Sequence, residues 1–205
     1  MELKQAIAEL RKQEKRNFSQ GIDLIINLKG IDVKRDNIAT IVTIPHKVKD
    51  KKVCGFLTKK SELVKTVTQP DFQKYKEKKP LKQLVKEYDF FIAAAPLMPS
   101  VATTFGKILG PAGKMPSPQL GVLMKEDDVA IKQLLERIST AVKIRVKEPS
   151  IKVSLGKESM KDEQLTENFL ALYNGIVAVL PTKKDNIRTI MIKTTMGKPL
   201  MVEMK

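Results

Sequence analysis

The sequence predicts a mixed α/β and α+β protein of two domains, and three patterns carry that expectation. Through the middle of the chain, short apolar runs alternate with helical patterns, which indicates a layered α/β unit. The outer stretches show period-two strands with two helices, an α+β composition. Two polar breakers, Lys47-Val-Lys-Asp-Lys-Lys52 and Glu148-Pro-Ser150, separate the two kinds of pattern. A chain of 205 residues is long enough for each part to bury a core of its own.

Leu3, Ile7 and Leu10 share one face of a helix over residues 2–15. From Ile22 the period becomes two. Ile22, Leu24, Ile26 and Leu28 alternate with Asp23 and Asn27, so a half-buried strand follows. A second strand spans 38–44 and stops at Pro45, which has no N–H to give a ladder. Past the first breaker, 53–57 reads as a buried strand, 61–67 and 81–87 as helices, and 89–94 (DFFIAA) as another buried strand. A helix over 101–109 leads into the run Gly106-Lys-Ile-Leu-Gly-Pro-Ala-Gly-Lys-Met-Pro-Ser-Pro118. Residues 127–138 form a helix with acids at its start, where the macrodipole favours them, and 142–146 a third strand of the middle unit. After the second breaker, 151–155 alternates as a strand, and Ser159 with Asp162 resembles a capping box opening a helix to Val179. Strands over 187–195 and 200–202 close the chain.

The Gly/Pro run holds three glycines, three prolines and two lysines. Glycine allows close backbone approach and positive φ, while proline fixes φ and removes a donor, so the run reads as a stiffened loop. It is no Walker loop, because Met115 stands where a magnesium-binding hydroxyl belongs, and the dinucleotide spacing is absent. A shaped basic loop in a chain of net charge +15 points to a polyanion partner.

Basic side chains number 38 against 23 acidic ones, for a pI near 9.8. The excess is spread: 18 basic and 10 acidic residues lie between Lys52 and Glu148, and 20 and 13 in the remainder, so both parts could face one polyanion. Only Arg11, Arg16, Arg35, Arg137, Arg145 and Arg188 are arginines. Lysine acts as a point charge on phosphate, whereas bidentate reading of guanine favours arginine, so backbone and shape recognition is expected. No apolar run approaches the ~18 residues of a membrane span. Glu2, Glu9 and Glu14 make the N-terminus unlike a signal or transit peptide. Cys54 is the single cysteine, which allows no intrachain disulfide and suits a reducing cytoplasm. With one histidine beside it, no ligand cluster for zinc or haem is visible, and neither metal nor cofactor is expected.

Three separated motifs stand in order along the chain: Arg16-Asn-Phe-Ser-Gln20, Gly106-Lys-Ile-Leu-Gly-Pro-Ala-Gly-Lys-Met-Pro116 and Thr194-Thr-Met-Gly197. Ile44-Pro-His46, Tyr88-Asp-Phe-Phe-Ile-Ala93, Leu97-Met-Pro99 and Leu155-Gly-Lys157 support them. In these pieces the chain closely resembles the ribosomal protein L-one family over essentially its whole length, with a look nearer the archaeal branch. The resemblance implies a discontinuous α+β first domain, 1–51 with 149–205, and an inserted Rossmann-like three-layer α/β domain, 52–148.

The resemblance further implies that the first domain binds large-subunit ribosomal RNA. Residues matching that surface or adjoining it are Arg16, Asn17, Phe18, Ser19, Gln20, Lys152, Lys157, Lys193, Thr195, Met196 and Gly197. The chemistry suits them. Gly197 lets the backbone approach the RNA, Thr195 offers a hydroxyl, and Met196 and Phe18 can cover a sugar or base face. Read without the resemblance, Phe18 would be a core aromatic and Thr195–Pro199 an ordinary hairpin turn. Other implied partners are the protein's own messenger leader, whose translation it would repress, and the deacylated transfer RNA that the mobile stalk accompanies from the exit site. The chain is expected to be a monomer when free, ribosome-associated in the cytoplasm, and not an enzyme. Gly110, Pro111, Gly113, Lys114, Met115 and Pro116 carry the family's loop motif, and Ala112 stands where the family commonly has Arg. The residues alone leave open another basic RNA-binding or nucleotide-binding α/β protein.

Overall fold

The computed structural model describes residues 1–13, 17–32, 38–75, 78–146 and 148–203. Contacts divide the chain into two units, Met1–Lys49 with Thr140–Lys205, and Asp50–Ser139. The outer unit is built on strand β1 (Gly21–Leu28), whose even-numbered residues are buried while the odd ones are only partly so. It pairs antiparallel with β8 (Ser150–Lys157) on one side and β9 (Ile187–Thr194) on the other, and β10 (Leu200–Val202) extends the sheet beyond β9. Helices α1 (Leu3–Lys12) and α5 (Asp162–Val179) pack against this unit's strands. Ile7, Leu10, Leu24, Ile26, Leu155, Phe169, Leu172 and Ile192 are at most 2% exposed. Each such Leu or Ile contributes roughly 1.5–3 kcal/mol by leaving water.

Strand β2 (Ala39–Thr43) pairs antiparallel with β7 (Ala141–Arg145), from Ala39 opposite Arg145 to Thr43 opposite Ala141. This corrects the expectation that 142–146 belongs to the middle unit. Val42, Ile44, Ile144 and Val146 are all buried in the outer unit's core, and that burial decides where the strand goes. The second crossover therefore falls at Ser139–Thr140, ahead of the Glu148-Pro-Ser150 breaker. The helix after β8 starts without the expected Ser159/Asp162 box. Lys161 occupies the N-cap, and the Gln164 side chain accepts its N–H at 3.2 Å. His46, at the first crossover, lies 2.6 Å from Glu167, and the buried Asn168 amide holds both its N–H and its carbonyl.

The inserted unit carries a parallel sheet in the order β4-β3-β5-β6, with β3 (Val53–Phe56), β4 (Lys65–Val67), β5 (Phe90–Ala94) and β6 (Val122–Leu123). Consecutive residues of β3 and β5 are buried, as a sheet covered on both faces requires. Phe56 is the hub of an aromatic cluster, stacked on Phe91 at 5.7 Å and close to Phe105 at 4.7 Å and Phe72 at 5.8 Å. Helices α2 (Lys78–Glu87), α3 (Met98–Ala112) and α4 (Asp128–Thr140) complete the unit. The helix expected over 61–67 is instead a turn followed by β4. Thr66 accepts the Ser61 N–H and donates back to the Val64 carbonyl, and Val64, Thr66 and Val67 are β-branched residues that suit a strand.

Candidate nucleic-acid interface

The β1 alternation leaves the second face of the outer sheet without a packed cover among the described residues. Because register is fixed, the residues on that face form rows across the strands. Lys157, Gly21 and Thr195 lie in one row, and Ser154, Asp23 and Lys193 in the next. Lys152, Ile25, Met191 and Met201 form a third, and Ser150, Asn27 and Thr189 a fourth. A bulge between Ile22 and Asp23 keeps Lys157 on this face. The surface is thus a central apolar row ending in a cation, with further cations above it. Lys152 reaches toward Glu148 at 3.4 Å, a largely exposed pair of small energetic weight.

At one end of these rows the chain turns through Thr195-Met196-Gly197. The Gly21 N–H donates to the Thr195 hydroxyl at 3.1 Å, and that hydroxyl donates to the Gly21 carbonyl at 3.2 Å. The Thr195 hydroxyl thus fixes the turn on β1 while the residue itself stays exposed. Gln20 differs from expectation. It is 4% exposed, and its side-chain oxygen accepts the Met196 N–H at 3.2 Å. Gln20 thereby binds the Phe18–Gln20 segment to the turn rather than pointing outward.

Phe18 and Met196 are presented to solvent at 54% and 65% exposure. A large aromatic leading into an apolar strand ordinarily buries, so its display here is a specific feature of this end. Asn17 and Ser19 are exposed beside it, and Arg16 lies outside the described residues. Gly197 sits directly over the Gln13 and Thr194 side-chain oxygens, and a Cβ at that position would overlap both. Those two oxygens are buried without a hydrogen-bond partner among the described residues, so the space under the turn is closely filled.

Sequence reasoning missed Ile25, Met191 and Met201 as residues of the open face, because an apolar side chain in a strand reads as core. The signal that finds them is period two: Ile25 is out of phase with Leu24 and Ile26, and Met191 with Ile190 and Ile192.

The Gly/Pro run is not a loop in its first half. Gly106, Gly110 and Pro111 lie within α3, held helical by the buried Val101, Phe105 and Leu109. Gly113 ends the helix at φ 71°, a conformation glycine adopts without strain. Its N–H donates to the Gly110 carbonyl and that of Lys114 to the Leu109 carbonyl, the paired bonds of a Schellman cap. The Lys114 ammonium donates to the carbonyls of Val85 at 2.6 Å and Tyr88 at 2.7 Å, closing the C-terminal end of α2. Pro116 is buried and Met115 half-buried. The loop motif, as placed, builds the inserted unit, and its lysine serves a helix end.

No group of three or more His, Cys, Asp or Glu among the described residues could hold a metal ion. No helix among them is long and apolar enough to cross a membrane. The fold and the open face together define a class: a basic two-unit α/β protein presenting a cationic sheet face with exposed apolar side chains, a surface matched to a polyanion that also has sugar and base faces. The model of the Ribosomal protein L1p/L10e family matches residues 10–198, and the chain belongs to that family of ribosomal proteins. It is 34% identical to the large ribosomal subunit protein uL1 of Pyrococcus horikoshii, over 97% of this chain and 94% of that one. It is 36% identical to the protein of the same name from Thermofilum pendens, over 98% and 92%. With that of Methanobrevibacter smithii it shares 32% identity over 96% of each chain.

Proposed function

We propose that the chain is a structural constituent of the large ribosomal subunit, binding its ribosomal RNA through the open sheet face and the Thr195–Gly197 turn of the outer unit. In this reading it builds the mobile stalk that accompanies deacylated transfer RNA from the exit site. The same face binds a like structure in the protein's own messenger leader and represses its translation. It works in the cytoplasm, on the ribosome, without catalysis, and is a monomer when free.

The observation that carries the reading is the open row of Lys152, Ile25, Met191 and Met201, continued by Lys193 and Lys157 toward exposed Met196 and Phe18. Cations there neutralise phosphates, while methionine and phenylalanine cover ribose and base faces that water would otherwise solvate. The test is a gel-shift series with a large-subunit stalk RNA fragment, the messenger leader and an unrelated hairpin. If roughly 4–6 phosphates are neutralised, log K falls against log salt with a slope of about −3 to −5. A slope near zero, or equal affinity for all three RNAs, sinks the reading.

A further inference from the structure

In the inserted unit the chain leaves β3 toward β4 on one side, while β5 lies on the other side of β3. Where parallel connections diverge in this way, the loops leaving the carboxyl ends of the central strands part and open a crevice, the usual ligand position of such sheets. The turn leaving β3, Leu57-Thr58-Lys59-Lys60, presents several donors there.

Glu126 already occupies them. Its Oε2 accepts the Thr58 N–H at 2.9 Å and lies 3.4 Å from the Lys59 nitrogen, and its Oε1 accepts the Thr58 hydroxyl proton. Glu126 follows β6, the far edge strand, so the carboxylate reaches past the end of β5 to the turn after β3. One anionic group thus gathers two backbone amides and a hydroxyl, with the exposed Lys59 and Lys60 alongside. Adjacent amides with a hydroxyl and ammonium groups make a donor set suited to phosphate.

We propose that the Thr58–Lys60 turn is a phosphate-binding cradle and that Glu126 is its internal occupant, exchanged for an incoming phosphate group, free or esterified. Carboxylate and phosphate oxygens accept from the same donors. Phosphate adds a further oxygen and more charge for Lys59 and Lys60. A cavity of about 420 Å³ opens beside Lys60, with Lys65, Lys74 and Tyr75 at its walls and Val64 and Val67 among its apolar lining. It shares only Lys60 with the turn and lies on the β4 side of β3, where its lysines add positive charge near the cradle. The one carboxylate lining the cavity, Asp71, is engaged by Lys74 at 2.8 Å and Thr68 at 2.7 Å, so it does not oppose an anion with a free charge. The site concerns the inserted unit only and does not depend on the outer sheet face.

The test follows the backbone amide signals of Thr58 and Lys59 in the full-length protein during titration with inorganic phosphate and, separately, with a single-stranded RNA tetranucleotide. In Glu126→Ala and in Glu126→Gln, which keeps the length without the charge, half-saturation is expected at least tenfold below wild type. Adding Thr58→Val to Glu126→Ala should weaken binding again by threefold or more. Tighter binding of the tetranucleotide than of phosphate at these amides assigns a phosphodiester of RNA as the source, and the reverse assigns free phosphate. If Glu126→Ala does not fold, Glu126→Gln alone decides. Folded variants whose Thr58 and Lys59 signals do not saturate with either probe, or a Thr58→Val change without effect, overturn the cradle.

Discussion

In the outer unit, β1 buries one residue in two and leaves its second face open, whereas in the inserted unit β3 and β5 bury residues in succession. Both units carry excess positive charge, yet they use it differently. On the outer sheet Lys152 and Lys193 stand among apolar side chains on a face that no described residue of the unit covers. In the inserted unit Lys114, from the most distinctive stretch of the sequence, caps a helix. Charge density in the sequence therefore does not mark an interface.

The contrast can be broken first at Cys54, on the covered sheet. Burial is the main cause that pushes its thiol from 9.0 up to about 12, with Lys65 opposing weakly. A rise of that size lowers the thiolate fraction at pH 8 by about a thousandfold, and thiolate is the reactive form. Alkylation of the native protein should be at least a hundredfold slower than in urea. The sign for stability follows. The unfolded thiol ionises near its ordinary value while the folded one does not, so stability is fully present below about pH 9 and is lost as pH rises toward 12. Rapid native labelling at pH 8 would place Cys54 at an open face.

Gly197→Val is expected to reduce stalk-RNA affinity by two orders of magnitude or more, because the new side chain meets the Gln13 and Thr194 oxygens and displaces the turn. Thermal melting with circular dichroism must accompany the titration. A folded variant with wild-type affinity would remove the turn from the interface.

Met196→Ala subtracts an exposed apolar contact and leaves the backbone alone. A loss of about 1–2 kcal/mol, roughly five- to thirtyfold in affinity, matches one nucleic-acid face left uncovered. Unchanged affinity would mean that this side chain, 65% exposed, stays in water in the complex.

The smallest effect expected comes from removing the inserted unit. A chain of residues 1–49 joined to 140–205 keeps every row of the open face. It should bind stalk RNA within about tenfold of the whole protein by filter binding. A loss beyond a hundredfold would move essential contacts into the inserted unit and end the contrast drawn above.

Much of this architecture was legible because burial in a one-sided sheet writes a period of two. Ile22, Leu24, Ile26 and Leu28 announced β1, and Ile190 and Ile192 announced β9. Where residues lacked that period, reading went astray. Three-residue β4 is too short to show alternation, and two-residue β6 left no trace. The Gly/Pro run suggested a loop through Pro118, yet packing of Val101, Phe105 and Leu109 outweighs the helix cost of Gly106 and Gly110, about 1 kcal/mol each. At the candidate interface, Phe18, Met196 and Gly197 were visible as types in a motif. Their setting was not, because the Thr195 and Gln20 hydrogen bonds that fix the turn join segments some 175 residues apart in sequence.

The bulge opposite Ile22 and Asp23 also says where this protein can change length. Leu155 and Gly156 both point to the core there, so β8 holds one residue more than a regular ladder needs. The strand is two alternations in opposite phase, joined at that point. Deleting Gly156 would merge them and leave Lys152 and Lys157 both facing out. Deleting Val153 would turn every residue on one side of the cut and carry Lys152 or its neighbours into the core. Indels that preserve the surface are therefore confined to a single joint, and strand length elsewhere in β8 is as tightly constrained as any side chain.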